Sequence, residues 1–404
     1  MNDLCTSELR RGLLKLGDLL VEFDERLGSR TEPEILTLTE KMGFVPQRER
    51  FSKRLAIADT SNYKLIGLHD IAFNPYLLWA NAIAQNTRWE HAIISPLYPT
   101  FRVRSGYSPR FVNHLLCGGF LRSRYDAISY GSVPRKRRST VADFLKIPVQ
   151  MPLPTLGEQE RIVKLLDEAQ ELRGLRAQAD CRTAHLIPAL FQGMFGDPMK
   201  NPRGWPVRPV SSFVEELFGG RSVNPVGADA AVGHYRVLKI SAVTWGNFDP
   251  EESKPVPAGY EPPESHFVRA GDLLFSRANT TELVAATSYV FDAPPNLLLP
   301  DKLWRFVWKQ PRSVEPLFVW WLFQAPSVRR VLGQRATGTG GSMKNISKPK
   351  VMSLEVPIPP LPLQKEFAQR VTEIREMQSS QATSRQRLDD MFQSLLHRAF
   401  NGGL

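Results

Sequence analysis

Two segments of this chain repeat each other without a gap. Pro152, Pro154, Leu156, Gln159, Glu168, Glu171, Ala177, Arg182, Leu190 and Phe195 recur as Pro357, Pro359, Leu361, Gln364, Glu373, Glu376, Ala382, Arg387, Leu395 and Phe400, each pair 205 residues apart (152 to 357, 195 to 400). An internal repeat on this scale decides the architecture before any single element is read. In the first copy Ile162, Leu166, Ala169, Leu172, Leu175, Ala179, Leu186, Leu190 and Met194 follow at three- or four-residue steps. Phe367, Val371, Ile374, Met377, Leu388, Met391, Leu395 and Ala399 answer them in the second. That period predicts a long amphipathic helix in each copy.

The prolines set where each helix begins. Pro-x-Pro excludes helical geometry just upstream, so an extended step precedes a helix opening near Gly157 or Pro362. "FGDP" (195–198) and "FNGG" (400–403) supply the stop. About forty residues between those limits give roughly 55–60 Å of helix at 1.5 Å per residue. Narrow apolar stripes on two such helices predict an antiparallel coiled coil if the chain folds back, with Pro188, Ser380 and Ser384 as weak points. The alternative is that each helix merely covers a sheet.

Residues 1–150 and 199–355 precede the helices at 151–198 and 356–404. Both read as short β-rich runs, "YKLIGLHDIAFNPY" and "HFVRAGDLLFSRAN", then "SPLYPTFRV" and "LLLPDKLWRFVW". A helical pattern follows in each (108–125 and 314–332), and then a loop with Gly, Ser and basic residues, "YGSVPRKRRS" (130–139) and "TGGSMKNISK" (339–348). The order matches while the residues scarcely do, which suggests one scaffold carrying two different readers. The expected fold class is α+β: two mixed α/β domains separated by two long helices packed as an antiparallel coiled coil, a pseudo-two-fold repeat.

Lys and Arg outnumber Asp and Glu by 52 to 41, a formal charge of +11, which favours a polyanionic partner such as nucleic acid. Cys5, Cys117 and Cys181 lie far apart, with no CxxC, so no disulfide framework or zinc site is expected and a reducing cytoplasm fits. No apolar run reaches the roughly 18 residues of a membrane span.

At these residues the chain resembles the specificity subunits of Type I restriction–modification systems. The likeness rests on "MPLPTLGEQERIVKLLDEAQEL" running to "LFQGMFGDP", on "VPIPPLPLQKEFAQRV", and on "GDLLFSRAN" and "DIAFNP" within the globular parts. It implies two target-recognition domains, each reading one half of a bipartite, asymmetric site in double-stranded DNA. It also implies helices that set the spacer and dock two methyltransferase subunits, with motor-nuclease subunits joining for cleavage. The second copy departs at Lys365, Glu366 and Phe367, where the first has Glu160, Arg161 and Ile162.

Catalytic signatures are missing from the residues themselves. "GQRATGTGGS" (333–342) lacks the Gly-Lys-Ser/Thr ending of a phosphate cradle, and Asn74-Pro75-Tyr76 reads as a turn. No catalytic residue, cofactor or metal ligand is expected, so the chain reads as a non-catalytic DNA-binding subunit. A drifted single-chain methyltransferase or nuclease, and a coiled-coil adaptor without DNA affinity, are the competing readings. Arg135, Lys136, Arg137 and Arg138 are the expected phosphate contacts of the first domain. Lys344 and Lys348, with Arg329, Arg330, Arg335 and Lys350, bracket the equivalent loop of the second. Arg277, Asn279, Ser342 and Asn345 have the side chains suited to reading base edges, and Tyr130 and Trp304 are the aromatics able to stack.

Overall fold

The computed structural model describes residues 14–40, 42–51, 59–131, 137–149, 153–223, 232–338 and 343–400. Packing divides the chain into two compact units. One comprises Met1–Gln178 with Thr383–Leu404, the other Ala179–Ala382, so each long helical segment contributes residues to both.

In the first unit an antiparallel sheet orders its strands as Leu20–Phe23, Thr100–Val103, Ile71–Phe73 and Ile83–Gln85. A second sheet orders Gly43–Pro46, Glu34–Thr39, His91–Ile94 and Lys64–Gly67, with a single parallel pairing, Glu34–Thr39 beside His91–Ile94. The short ribbon of Leu14–Lys15 with Pro148–Val149 brings the two ends of the domain together. In the second unit the first sheet runs Val214–Gly219, Leu303–Trp308, Leu273–Ser276, Thr287–Tyr289. Its companion sheet again holds one parallel pairing, Val232–Leu238 beside Leu297–Leu298, and Val207–Pro209 with Glu355–Pro357 forms the closing ribbon. Among the described residues the order of the main sheets agrees, except that the second unit has no equivalent of Lys64–Gly67 and adds a ribbon of Ala278–Asn279 with Lys344–Asn345.

Helices follow where the sequence places them, with breaks that local chemistry explains. Pro109–Cys117 stops at Gly118 and Gly119, the latter at φ +86°, before Arg122–Ala127 resumes. Pro316–Gln324 and Pro326–Arg335 are parted at Ala325, whose extended ψ of 129° is what a following proline demands.

The first long segment is Leu156–Ala184 followed by Leu186–Phe195, and the second is an unbroken Leu361–Phe400 of 40 residues. The interruption at His185 lies three residues before Pro188, whose ring nitrogen cannot donate to the carbonyl of Ala184. The second copy has Gln393 there and stays straight through. Thr155 caps the first helix, its hydroxyl accepting from the Glu158 amide at 3.4 Å while the Glu158 carboxylate accepts from the Thr155 amide at 2.8 Å. At the far end Gly196 turns the chain at φ +74°, where a Cβ would lie 2.4 Å from Pro202 Cγ.

The segments run antiparallel in each unit. In the first, Arg173 donates to Asp389 at 2.6 Å and Arg176 to Ser384 at 3.1 Å; in the second, Thr183 donates to Gln381 at 2.8 Å. These middle contacts are polar, which the apolar stripe does not foretell. Leu172, Leu175, Leu186, Met377 and Met391 of that stripe are exposed, and apolar packing is kept for the helix ends. There Ile162, Leu166, Phe392, Leu396 and Phe400 join the core of the first unit, and Phe191, Phe195, Phe367 and Val371 that of the second. Among the described residues no helix is long and apolar enough to cross a membrane.

Candidate nucleic-acid interface

The two basic loops that the sequence singles out are closed by the same backbone device. Tyr130 and Arg138 exchange both main-chain hydrogen bonds, at 3.0 and 2.9 Å, and Thr337 and Asn345 do so at 2.7 and 2.8 Å. The positions correspond at a shift of 207 residues (130 to 337, 138 to 345). One residue further on, the Ser139 amide donates to Pro75 O at 2.9 Å and the Ile346 amide to Arg277 O at 2.9 Å. Each loop is thereby pinned beside the end of a central strand, Ile71–Phe73 or Leu273–Ser276. Arg135, Lys136 and Ser342 lie outside the described residues.

Arg137 turns inward. Its guanidinium donates to Ser129 O, Asp126 O and Asp126 Oδ1 at 2.7–3.0 Å and lies over the Trp79 ring. Arg138 lies over the Tyr76 ring, 5.7 Å from its centroid. Asn74-Pro75-Tyr76 is a turn in which the Asn74 side chain accepts from the Tyr76 amide at 3.0 Å.

In the second unit, residues 65 or more positions apart come together. Ala278–Asn279 pairs antiparallel with Lys344–Asn345, setting Asn279 opposite Lys344. Lys344 Nζ donates across its loop to Gly338 O at 2.9 Å. The Asn279 carbonyl oxygen accepts from the Thr280 amide at 2.8 Å, and its amide nitrogen donates to Thr244 Oγ1 at 3.4 Å. Arg277 donates to Asp301 O at 2.9 Å and pairs with the Asp301 carboxylate at 3.2 Å. Partial burial alone would raise the Asp301 pKa, but the Ser222 hydroxyl and the Arg277 guanidinium hold it below the usual carboxylate range. Lys348 pairs with Glu216 at 3.3 Å.

Three of the flanking cations, Arg335, Lys350 and Arg329, serve the backbone. Arg335 and Lys350 donate to each other's carbonyls at 2.8 and 2.7 Å, and Arg329 donates to Glu282 O at 3.2 Å. Several of the basic residues therefore hold the loops in shape, a use that composition does not distinguish from an outward-facing one.

Two features escaped the sequence reading. Trp245, directly after the Thr244 that Asn279 contacts, is 80% exposed. Its only sequence signal is a tryptophan before the Gly-Asn turn at 246–247. Trp304, by contrast, is buried and stacks on Phe275 at 5.8 Å, while Tyr130 is exposed at the base of its loop. The second feature is a repeated Asp–Arg–Phe set. Asp70 accepts from the Gly67 amide at 2.8 Å and Arg102 Nε at 3.4 Å, with Arg102 over the Phe23 ring. Asp272 accepts from the Arg269 amide at 2.9 Å and Arg305 at 3.2 Å, with Arg305 over Phe218. Burial raises the pKa of both carboxyls, against the opposing pull of the backbone amide and the arginine.

The repeated glutamine of the Pro-x-Pro signature has one task in both units. Gln159, 1% exposed, donates to Pro154 O at 2.9 Å and accepts from the Ser108 amide at 2.8 Å. Gln364, fully buried, donates to Pro359 O at 2.7 Å and accepts from the Glu315 amide at 2.9 Å. Ser108 and Glu315 are the residues that open Pro109–Cys117 and Pro316–Gln324.

No family model matches the chain. Over 320 residues it is 28% identical to the specificity subunit of the Type I restriction enzyme EcoKI of Escherichia coli (strain K12), a match that covers 73% of this chain and 65% of that relative, just under two thirds of its length. Solved structures share the fold. A chain from a type I R-M system, solved for its complex assembly and conformational transition, superposes with a TM-score of 0.59 over 97% of each chain at 17% identity. The S subunit of a Type I restriction-modification system from M. genitalium superposes with a TM-score of 0.54, over 96% of this chain and 95% of that one, at 10% identity. The resemblance read from the motifs is borne out, and the two mixed α/β domains with their long helices are the shared fold.

Proposed function

We propose, on that shared fold and sequence likeness, that this chain is the specificity subunit of a Type I restriction–modification complex, a cytoplasmic DNA reader without catalysis of its own. Each recognition domain, 1–150 and 199–355, reads one half of a bipartite, asymmetric site in double-stranded DNA. The helices at 151–198 and 356–404 set the spacer and dock two methyltransferase subunits, and motor-nuclease subunits complete the cleaving assembly.

One observation carries this reading. The frames of the two units agree down to individual loop hydrogen bonds, yet different side chains stand on them: Arg138 where the other has Asn345, and Pro75 where the other has Arg277. A duplicated frame with unlike loop residues is what two different half-sites require, since base edges discriminate through the side chains presented to them. Asn279 and Asn345 read bases in the second domain together with Ser342, which lies outside the described residues, while Lys344 contacts phosphate and Arg277 and Lys348 shape the edge. Arg135, Lys136 and Arg138 supply phosphate contact in the first, with Arg137 bracing their loop. Docking is supported by apolar residues left exposed at repeat-equivalent positions, Leu172 with Met377 and Leu186 with Met391.

The test is to sequence modified bases in a host genome carrying this chain and its methyltransferase. The expected result is methylation at two short unlike sequences separated by a fixed gap. A continuous or palindromic target, or methyl transfer by the purified chain alone, would overturn the reading.

A further inference from the structure

We propose that Gln159 and Gln364 are positioning residues that lock each recognition domain onto its helix end, and that the gap between half-sites is measured only as sharply as these two contacts hold. This rests on the spacer-setting role proposed above.

Each glutamine joins three pieces of main chain: the extended Pro-x-Pro step, the first turn of a long helical segment, and the start of the helix nearest it in the recognition domain. The geometry demands an amide. One terminal group must donate to a proline carbonyl and accept from a backbone N–H; a carboxylate lacks the donor, and asparagine is a methylene too short. Both glutamines are buried, at 1% and 0% exposure, so losing the side chain takes the partner from a carbonyl and an N–H at a junction that is itself at least partly buried.

The surroundings of the two contacts differ while the contacts do not. Next to Gln159 in the first unit, Arg110 and His114 of the domain helix hold Asp167 of the long helix, at 2.6 and 3.1 Å. The second unit has Trp321 and Thr372 at the positions of His114 and Asp167 (114 to 321, 167 to 372), and packs Phe191, Phe318 and Phe367 together instead. Apolar packing resists separation but lets one surface slide over another. A side chain hydrogen-bonded at both ends to main chain fixes direction as well as distance. A small swing at this junction moves the reading loops of that domain along the duplex, so loosening it blurs the length of the gap while leaving the choice of bases intact.

The experiment uses the chain assembled with its methyltransferase subunits, comparing wild type with Gln159→Met, Gln364→Met and the double variant. Methylation rates are measured on duplexes whose spacer is native, one base pair longer or one shorter, and on native-spacer duplexes with one half-site base changed. Each single variant is expected to lower the preference for the native spacer by about tenfold, the factor corresponding to 1.4 kcal/mol, while still rejecting the altered half-site. An unchanged spacer preference with only a lowered melting temperature would overturn the proposal, because that is what a merely stabilising residue gives. Amide hydrogen exchange is measured in parallel and does not depend on the spacer role. It should quicken in 109–117 for Gln159→Met and in 316–324 for Gln364→Met, and unchanged exchange also overturns the proposal. A wild type indifferent to spacer length would sink the spacer-setting role, leaving the exchange result to decide the contact itself. Should a methionine variant fail to fold, Gln→Asn loosens the same bonds with less disruption and is held to the same outcomes.

Discussion

The first and second units share a central sheet order, a closing ribbon, a glutamine contact, an Asp–Arg–Phe set and a loop closed by the same two hydrogen bonds. They differ in how apolar mass is spent and in what stands on the loops. The second unit joins its helices to its domain through Phe191, Phe195, Phe318 and Phe367, whereas the first brings Phe111 against Phe400 and adds the Arg110 ion pair and the His114 hydrogen bond of Asp167. Backbone hydrogen bonding is what duplication has kept, because an unpaired buried N–H or carbonyl is penalised whatever side chains surround it. Side-chain identity is free to vary wherever volume and polarity can be balanced another way.

The largest effect is expected from making the helical copies alike. Gln393 is exposed two turns from the C-terminal end of an unbroken helix, and Gln393→Pro introduces there the break that Pro188 brings to the first copy. It should cost about 3 kcal/mol in urea unfolding. The converse, Pro188→Ala, should close the break at His185 and raise helical circular dichroism; if helicity stays constant, the interruption has a cause other than proline.

Next in size is the contrast between the candidate interface loops. Trp245 has no exposed tryptophan partner in the first unit, where Trp79 and Trp89 are half-buried. Trp245→Ala should weaken binding to the full target by up to about tenfold, about 1.4 kcal/mol, with the melting temperature unchanged. Equal binding by both proteins in a fluorescence anisotropy titration would remove this tryptophan from the interface.

The smallest effect concerns acid. Burial lowers the His114 pKa despite the Asp167 carboxylate beside it, and Trp321 occupies the equivalent place in the second unit. The unfolded chain then takes up the proton first, so this histidine's contribution is present above the ordinary histidine value of 6.5 and is lost as pH falls through the lower folded value. His114→Phe should flatten the loss of stability between pH 7.5 and 5.5. Denaturation curves of equal pH dependence in the two proteins would show that His114 is not a source of it.

Much of the architecture is legible in the chain because it is written in local signals. Proline geometry places the helix starts: Leu156 and Leu361, one residue from the expected Gly157 and Pro362, stand 205 residues apart as the repeat requires. Periodicity gives the helices, and alternating apolar runs give the central strands. The candidate site is legible only in part. The loops at 130–139 and 339–348 are found from their Gly and basic content, but the inward turn of Arg137 and the backbone contacts of Arg335 and Lys350 are not. A guanidinium reads the same in sequence whether it faces solvent or a carbonyl.

By itself the sequence determined the duplication, the helices and the order of elements, since these follow from backbone preferences and spacing over a few residues. Only the tertiary structure decided that the middle of the paired helices meets through polar groups, that Ala278–Asn279 lies against Lys344–Asn345, and that Gln159 and Gln364 reach back to a distant helix. Those outcomes depend on pairings between residues tens to hundreds of positions apart. Which groups end up buried together, and must therefore satisfy one another, is set by the fold as a whole.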